Sequence, residues 1–364
     1  MIVVVGAGIA GLASALALSP FAKVLILERR SSEDANAGAG IQLSPNAIHA
    51  LRFLSTDLAQ SVVDRASAPS GLQILGAAGR SPLAAVNYRA VMHQRYGAPY
   101  LTIARGELYQ ALIDAVGSDP RITLKDNVPV ASVERVGDGW RLADLAEPCS
   151  FLVAADGVNS AVRGAVTGDG PIDTGFIAWR GTGGTDADVT SLTMMPGRHL
   201  VRYALREDTD NVVLVDKGPA SDRPAALDSA QAFAVADVTG WRPWPIAVRE
   251  PHWFGDGTLA AVGDASHAMV PFLAQGGAMA LEDAAQLKAE VSRDGLTAAA
   301  VDAYAKARAP RIKRVAAQAK QQGLIYHVPA PASWGRDLVI KAGGERAVLR
   351  RVDWIYRWRP AHQG

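Results

Sequence analysis

Ile2-Val-Val-Val-Gly-Ala-Gly-Ile-Ala-Gly11 opens the chain, and its reading decides the fold. Ile2 to Val5 is an uninterrupted apolar run of strand length, the pattern of a parallel strand buried on both faces. It runs straight into Gly6-x-Gly8-x-x-Gly11. A helix is expected over Leu12 to Leu18, Ser19-Pro20 stops it, and a second strand, Lys23 to Leu27, ends in Glu28. This is a βαβ unit with an acidic residue at the end of its second strand. Gly6 permits the turn, Gly8 lets a pyrophosphate touch the backbone, Gly11 allows close helix–strand packing, and Glu28 bonds ribose hydroxyls. Glycine-rich turns are common, but strand, helix and distal acid in this order point to a bound dinucleotide.

Composition sets outer bounds. With 364 residues, 49% of them hydrophobic, the chain can bury a large core in about two domains. A net charge of +1 gives no reason to expect nucleic acid or an anionic membrane as partner. Cys149 is the only cysteine, which excludes an intrachain disulfide framework and fits a reducing, cytoplasmic compartment. Met1 leads directly into an apolar strand, so no signal peptide is expected. No apolar stretch reaches the ~18 residues of a transmembrane helix. No metal site is expected.

Outward from the first unit, Gly38-Ala-Gly-Ile-Gln-Leu-Ser-Pro-Asn46 reads as a loop before a helix from about Ala47. Gly71 to Leu75 and Arg95 to Tyr100 read as short strands with turns, an excursion into another domain. Arg105-Gly-Glu-Leu108 opens a helix to Val116, and Arg105 there is either a surface charge or a phosphate ligand. Strands are expected at Ile122–Leu124, Val130–Val136 and Trp140–Leu142. Phe151 to Arg163 repeats the strand–turn–helix plan, with Asp156 and Gly157 at the strand end and Ser160 at the helix start. From about Pro171 to Ala247 the pattern is strands and turns.

Leu259 to Val262 then returns to the buried-strand pattern and stops at Gly263-Asp264, where a carboxylate can meet a ligand hydroxyl. Gln275-Gly276-Gly277 precedes a helix expected from about Ala278. Paired glycines there let a flat ligand approach the backbone, and the helix N-terminus brings partial positive charge. The rest is helical. Lys306, Arg308, Arg311, Lys313 and Arg314 read as a solvated face, and Pro310 is expected to kink or restart that helix.

Three motifs thus stand in one order: Gly6-x-Gly8-x-x-Gly11 with Glu28, Ala155-Asp156-Gly157, and Gly263-Asp264. Over most of its length the chain resembles the single-component (class A) FAD-dependent aromatic monooxygenases of the para-hydroxybenzoate hydroxylase fold. Gly40-Ile-Gln-Leu-Ser-Pro-Asn46, Ala178-Trp-Arg-Gly181, Pro196 to Tyr203, Pro271-x-x-Ala-Gln-Gly276 and Asp353-Trp-Ile-Tyr356 are similar to one branch. That branch holds salicylate hydroxylase, 3-hydroxybenzoate 6-hydroxylase and 6-hydroxynicotinate 3-monooxygenase.

The resemblance implies an α/β fold: a Rossmann-like FAD-binding domain, an inserted, mostly antiparallel β-sheet substrate domain, and C-terminal helices. The expected division is 1–70, 101–170 and 251–325 for FAD, 71–100 and 171–250 for substrate, and 326–364 as a C-terminal segment. It implies non-covalent FAD held by Gly6, Gly8, Gly11, Glu28 and Arg29, by Arg105 near the phosphates or ribityl chain, and by the Val130 backbone at the adenine. Asp264 is implied at the ribityl chain and Gly276 and Gly277 under the isoalloxazine. Asp156 and Gly157, with Arg163 behind them, are implied to touch FAD and, transiently, NADH or NADPH. One dinucleotide fingerprint serves FAD, so the nicotinamide has no resident site of its own.

The chemistry implied is hydroxylation of a small aromatic acid or N-heterocycle with O₂ through a flavin C4a-hydroperoxide. On the substrate side, Gln275 either bonds the substrate or peroxide or is a structural amide. Tyr203 either enters the pocket or packs. His199 could deprotonate a phenol if its pKa stays near neutrality, and it shares a strand face with Tyr203. Arg180 either binds a substrate carboxylate or packs between domains, Pro271 borders the substrate, and His267 reads as structural. The 217–241 segment is shorter than the family generally shows, which favours a more open pocket. Alternatives are a same-fold monooxygenase of a larger natural product, purine or alkene, and a non-hydroxylating reductase or redox sensor. A monomer or homodimer is expected.

Overall fold

The computed structural model describes residues 1–31, 40–77, 81–143, 145–184, 188–205, 209–218, 224 and 235–360. Gly38, Ala39 and most of the 217–241 segment lie outside the described residues.

Two sheets organise the chain. The six-stranded one has the order β16 (Gly255–Asp256), β17 (Leu259–Ala261), β10 (Phe151–Ala154), β1 (Ile2–Val5), β2 (Val24–Leu27) and β7 (Ile122–Lys125). All its pairings are parallel except the β16–β17 edge. β1, β10 and β17 are buried along their whole length, as their unbroken apolar runs require. Ile2 and Val4 face a helical layer that includes α1 (Ile9–Leu18), α2 (Pro45–Leu54) and α5 (Arg105–Gly117). Val3 and Val5 face the opposite layer, a hairpin of β8 (Val133–Val136) and β9 (Gly139–Leu142) that brings Trp140 and Leu142 onto the sheet. Because β17, β10 and β1 are neighbours, the three motifs that follow them come to one carboxyl edge.

The seven-stranded sheet runs β15 (Thr239–Val248), β11 (Ile172–Gly184), β14 (Thr209–Lys217), β13 (Arg198–Ala204), β12 (Val189–Met195), β4 (Gly71–Leu75) and β5 (Pro82–Asn87). It is antiparallel except at the β12–β4 pair. Pro243 and Pro245 lie in β15, an edge strand, where a missing N–H breaks no internal ladder. A small pair, β3 (Gly40–Leu43) with β6 (Leu101–Ala104), bridges the two sheets.

Three readings are corrected. Arg95 to Tyr100 is not a strand: Tyr88–Tyr96 forms helix α4, capped by the Asn87 side chain and ended by Gly97 in the left-handed region at φ 71°. Its two tyrosines and valine carry strand propensity, and the cap and tertiary packing override it. Pro310 does not restart its helix, because α9 (Ala298–Tyr326) runs through it unbroken. The proline is exposed, so water can satisfy the carbonyl it leaves free. Nor are the basic residues of α9 one solvated face. Lys306, Lys313 and Arg314 are exposed, but Arg308 is fully buried and Arg311 half-buried, both turned onto the acidic pair Glu282-Asp283.

That acidic pair sits on α8 (Gly276–Asp294), which follows the one-turn helix α7 (Asp264–His267); α10 (Ala332–Tyr356) closes the molecule against β5 and α2. Helix α8 starts at Gly276, two residues earlier than expected, so the paired glycines form its first turn.

Candidate active site

One cavity of about 1680 Å³ runs from the carboxyl edge of the parallel sheet to the inner face of the antiparallel one. Its nucleotide end is built by glycines with opposite duties. Gly6 has φ +101°, and a Cβ on it would stand 2.5 Å from the Ala155 carbonyl oxygen; one on Gly11 would stand 1.9 Å from the Gly6 oxygen. Those two are demanded by the fold itself. A Cβ on Gly8, Gly157 or Gly276 would meet nothing within 4 Å, and all three line the cavity. At Gly8 and Gly276, where φ is unremarkable, the empty space belongs to whatever fills the cavity.

The polar groups around this cradle are arranged to match. The Glu28 carboxylate accepts from the Ala7 amide at 2.7 Å and the Arg30 amide at 3.0 Å, which fixes it beside the glycine turn with lone pairs to spare. Asp156 accepts from the Ala161 and Val162 amides through Oδ2, and its buried Oδ1 has no partner among the described residues. Burial raises its pKa. Asp264 begins α7 and faces the open cavity; no described residue donates to its carboxylate. Enclosure by protein raises its pKa, against the pull of His267 and Arg105. Arg105, at the start of α5, also lines the cavity and forms no ion pair with the described residues. Burial, and then Arg30, lower its pKa. Arg29 is exposed at the rim, and Val130 borders the same end.

An elongated dinucleotide with a flat ring fits this donor set and this space. A family model described as "FAD binding domain" matches residues 1–226 and 222–319. The chain belongs to the FAD-binding-domain family.

Full-length relatives agree. The chain is 28% identical to 3-hydroxybenzoate 6-hydroxylase of Klebsiella oxytoca, with 98% of this chain and 96% of that one covered. It is 30% identical to 6-hydroxynicotinate 3-monooxygenase of Bordetella bronchiseptica, over 86% of this chain and 89% of the other. Among solved structures, Klebsiella pneumoniae HpxO complexed with FAD and uric acid superposes with TM-score 0.82 at 21% identity, covering 98% and 97%, and so shares the fold. The protein is an FAD-dependent monooxygenase, a class A flavoenzyme.

In this monooxygenase the substrate end of the cavity is floored by alternate residues of the antiparallel sheet. His199, Val201 and Tyr203 of β13 all line it, as do Leu192 and Met194 of β12 and Val213 and Val215 of β14. Arg180 of β11 joins them with its guanidinium 4.8 Å from the Trp244 ring and no ion pair among the described residues; burial lowers its pKa. Tyr203 is buried over Gly40, where a Cβ would stand 2.6 Å from its ring, and burial raises its pKa. Pro271 lines the cavity in the turn before α8. Tyr88 and Tyr100, stacked at 4.5 Å, and Tyr356 complete an aromatic wall that sequence reasoning missed apart from quoting Tyr356 in a family segment.

Two catalytic readings are corrected. Gln275 does not face the cavity. It is 2% exposed and does not line the cavity, although Ala274, Gly276 and Gly277 do. Its Oε1 accepts from Asn46 Nδ2 at 3.1 Å, and its Nε2 donates to Ser44 Oγ at 3.0 Å. Asn46 donates in turn to Glu282, and Glu282 pairs with Arg308 at 2.6 Å and Arg311 at 2.7 Å. The amide is consumed in a buried network beneath the turn. His199 is not exposed, and its pKa is not near neutrality: burial holds it down to about 3. A standing imidazole base for phenols is therefore absent there.

His267 is structural, bonded to Asp283 at 2.6 Å. Asp283 also accepts from Gly263 N and Arg308 Nε. Burial works against the Asp283 anion, but His267 and Arg308 outweigh it and lower its pKa. Arg163 is fully buried, its guanidinium spent on Asp169 and the carbonyls of Ala265, Ser266 and Glu250, so it ties the Asp156 and Asp264 turns together without entering the cavity. The adjacent acids Glu282-Asp283 in an apolar helix were the sequence signal for this network. Among the described residues there is no helix long and apolar enough to cross a membrane and no group of three or more His, Cys, Asp or Glu placed to hold a metal.

Proposed function

We propose that this monooxygenase hydroxylates a small phenolic aromatic acid or hydroxylated N-heterocycle, using NADH or NADPH and O₂. One observation carries the substrate class. Arg180 is a cation without an ion pair among the described residues, on the cavity-facing side of the antiparallel sheet, beside Tyr203 and an apolar floor, complementary to a flat ring with a carboxylate. The two relatives, by their names, act on 3-hydroxybenzoate and 6-hydroxynicotinate, both rings of that description.

FAD, when bound and reduced by the nicotinamide, supplies the activation of O₂ that delivers oxygen to the ring. The chain's own residues do the holding. Gly8 and the first turn of α1 take the pyrophosphate, Gly6 and Gly11 shape that turn, and Glu28, Arg29 and Val130 hold the adenosine. Asp264 and Arg105 serve the ribityl chain and phosphates. The amides of Gly276 and Gly277, at the N-terminus of α8, favour negative charge on the reduced ring by about 0.3–1 kcal/mol. Asp156 and Gly157 border the groove where the nicotinamide binds transiently. Arg180 orients the substrate, Pro271 and Tyr203 confine its ring, and the closed floor excludes water.

The two sheets support a domain division into 1–70, 101–170 and 251–325 for FAD and 71–100 and 171–250 for substrate. Cys149, buried and unpaired, supports a cytoplasmic site of action.

The test is a spectral titration of FAD-loaded protein with hydroxybenzoates and hydroxypyridine carboxylates, followed by NAD(P)H oxidation and oxygen incorporation from labelled O₂. A ligand that perturbs the flavin, accelerates NAD(P)H oxidation and gains one labelled oxygen is the expected outcome. Failure of every acid in the panel to do so refutes the substrate class.

A further inference from the structure

The cavity reaches solvent at both edges of its antiparallel floor. At the β15 edge, Arg242 and Trp244 line it and are exposed. The end of β15 is tied to the Asp156 turn, because Arg249 donates to the carbonyls of Val158 at 2.8 Å and Ser160 at 3.3 Å. That edge is the one the proposed nicotinamide groove opens on. At the opposite edge, where α10 covers β5, the lining passes between two helices. Gln322 and Ile325 of α9 stand on one side, and Val339, Ile340, Arg350 and Arg351 of α10 on the other. Val339 is 72% exposed, and Arg350 and Arg351 are exposed too, so this end is a second mouth. Gly344, at φ 51° and ψ −152°, interrupts the helical backbone between Ile340 and Arg350, a conformation glycine takes most readily.

The rim of this mouth is cationic, and the rest of the molecule is not. From Ala298 to Pro360 the sequence holds 13 Lys and Arg against 4 Asp and Glu, a balance of +9 in a chain whose net charge is +1. Arg308 and Arg311 spend part of that excess on Glu282 and Asp283. On α10, Asp337 is paired with Arg336, and Asp353 with Arg95 and Arg357. The exposed charges of that helix are Lys341, Arg346, Arg350 and Arg351, all of one sign. Arg351 donates across the cleft to Gln321 at 3.4 Å and Gln322 at 3.1 Å, and Arg350 has no partner among the described residues.

We propose that this second mouth admits the anionic substrate, with Arg350 and Arg351 as an outer carboxylate site that passes the ring inward to Arg180. The inference rests on the aromatic-acid reading above and adds a binding site to it.

The floor supplies the path. Ile74, Leu192, Val201, Val213 and Arg180 are successive cross-strand partners on β4, β12, β13, β14 and β11, and all five line the cavity. Four strand spacings make a track of about 19 Å. It is apolar until it meets Arg180, so a flat ring can slide over it with no cation to hold its carboxylate before the end. Arg350 and Arg351, at the rim of a low-dielectric cleft, focus the field of the helical layer and raise the local concentration of an organic anion. The guanidinium of Arg351, oriented by two glutamines, keeps other N–H groups for a carboxylate. Entry at this edge leaves the β15 edge to the nicotinamide, so neither co-substrate blocks the other.

Stopped-flow mixing of the FAD-loaded protein with 3-hydroxybenzoate or 6-hydroxynicotinate, whichever perturbs the flavin, reads the association rate. In the double variant Arg350→Gln with Arg351→Gln that rate is expected to fall ~10-fold at low ionic strength and to lose most of its salt dependence. Association of the uncharged amide analogue, and the NAD(P)H dependence of flavin reduction without substrate, should stay within about 2-fold of the parent. An unchanged association rate for the acid overturns the mouth, and so does an equal fall in the NAD(P)H dependence, which marks a change of overall charge alone. If no acid perturbs the flavin, the substrate reading fails by itself, and the mouth is judged with iodide, an anion that quenches flavin fluorescence. Val339→Cys carries the one accessible thiol, since Cys149 is buried. A bulky maleimide on it should remove most of the iodide quenching, while the same label on Leu338→Cys, exposed but outside the lining, should not. Equal quenching in the two labelled proteins overturns the mouth.

Discussion

Asp264 and Gly8 are where the proposed FAD contacts separate most cleanly from the needs of the fold. The Asp264 carboxylate stands in the cavity with no donor from the described residues, so Asp264→Ala should leave the apoprotein folded and weaken FAD by ~10–100-fold, the value of a charge-assisted hydrogen bond. Fluorescence quenching of FAD on titration measures it. Gly8→Ala puts a methyl into space the protein does not use, so it should cost FAD affinity without lowering the apoprotein melting temperature. Gly11→Ala drives the same methyl into the Gly6 carbonyl and should prevent folding. Gln275→Ala leaves Asn46 and Ser44 short of partners in a closed interior, with an expected loss of about 1–3 kcal/mol of stability in urea unfolding. Its coupling of NAD(P)H oxidation to hydroxylation should be retained, since the side chain lies outside the cavity.

Among the elements, α8 and α9 depend on each other. Glu282 and Asp283 bring two carboxylates into the core, and Arg308 of α9, itself 1% exposed, is tied to both at 2.6 and 2.7 Å. Arg308→Ala would strand two buried anions and should cost about 3–5 kcal/mol in chemical unfolding. Because α8 begins at the flavin turn and Phe272 seats against Gly323 of α9, the loss should weaken FAD retention too. The same elements mark how far local pattern can be read. That α9 is helical was legible, but which of its cations turned inward was not, since their partners lie on another helix. Helix α4 was hidden because its tyrosines favour strands in isolation and only the Asn87 cap and its packing decide otherwise.

For the molecule as a whole, acid sensitivity follows from three imidazoles held neutral. Burial lowers His49 to about 4, His199 to about 3 and His327 to about 4. Unfolded histidines take a proton near 6.5, so below that pH the unfolded chain binds more protons than the native one. Their neutral burial therefore has no acid penalty above about 6.5, and stability is lost progressively as pH falls toward 3–4. At pH 5 His199 alone should account for roughly 2 kcal/mol. Melting temperature should fall steadily from pH 7 to 5, and His199→Gln should flatten the slope; a flat parent profile would refute it.

By itself the sequence determined the strand–glycine–helix–acid unit, the order of three strand-end turns and the apolar runs that demand a two-sided parallel sheet. These are local properties: a glycine where only glycine fits, a period of two or 3.6, a carboxylate where a strand stops. Only the tertiary structure decided which polar side chains face the cavity. Gln275, open in the sequence between the reacting ring and a structural role, is spent on Asn46, while His199, a candidate base, is buried against His327, 128 positions away. Direction, burial and partnership of a side chain depend on what packs over it, and for both residues that is chain from a distant part of the sequence.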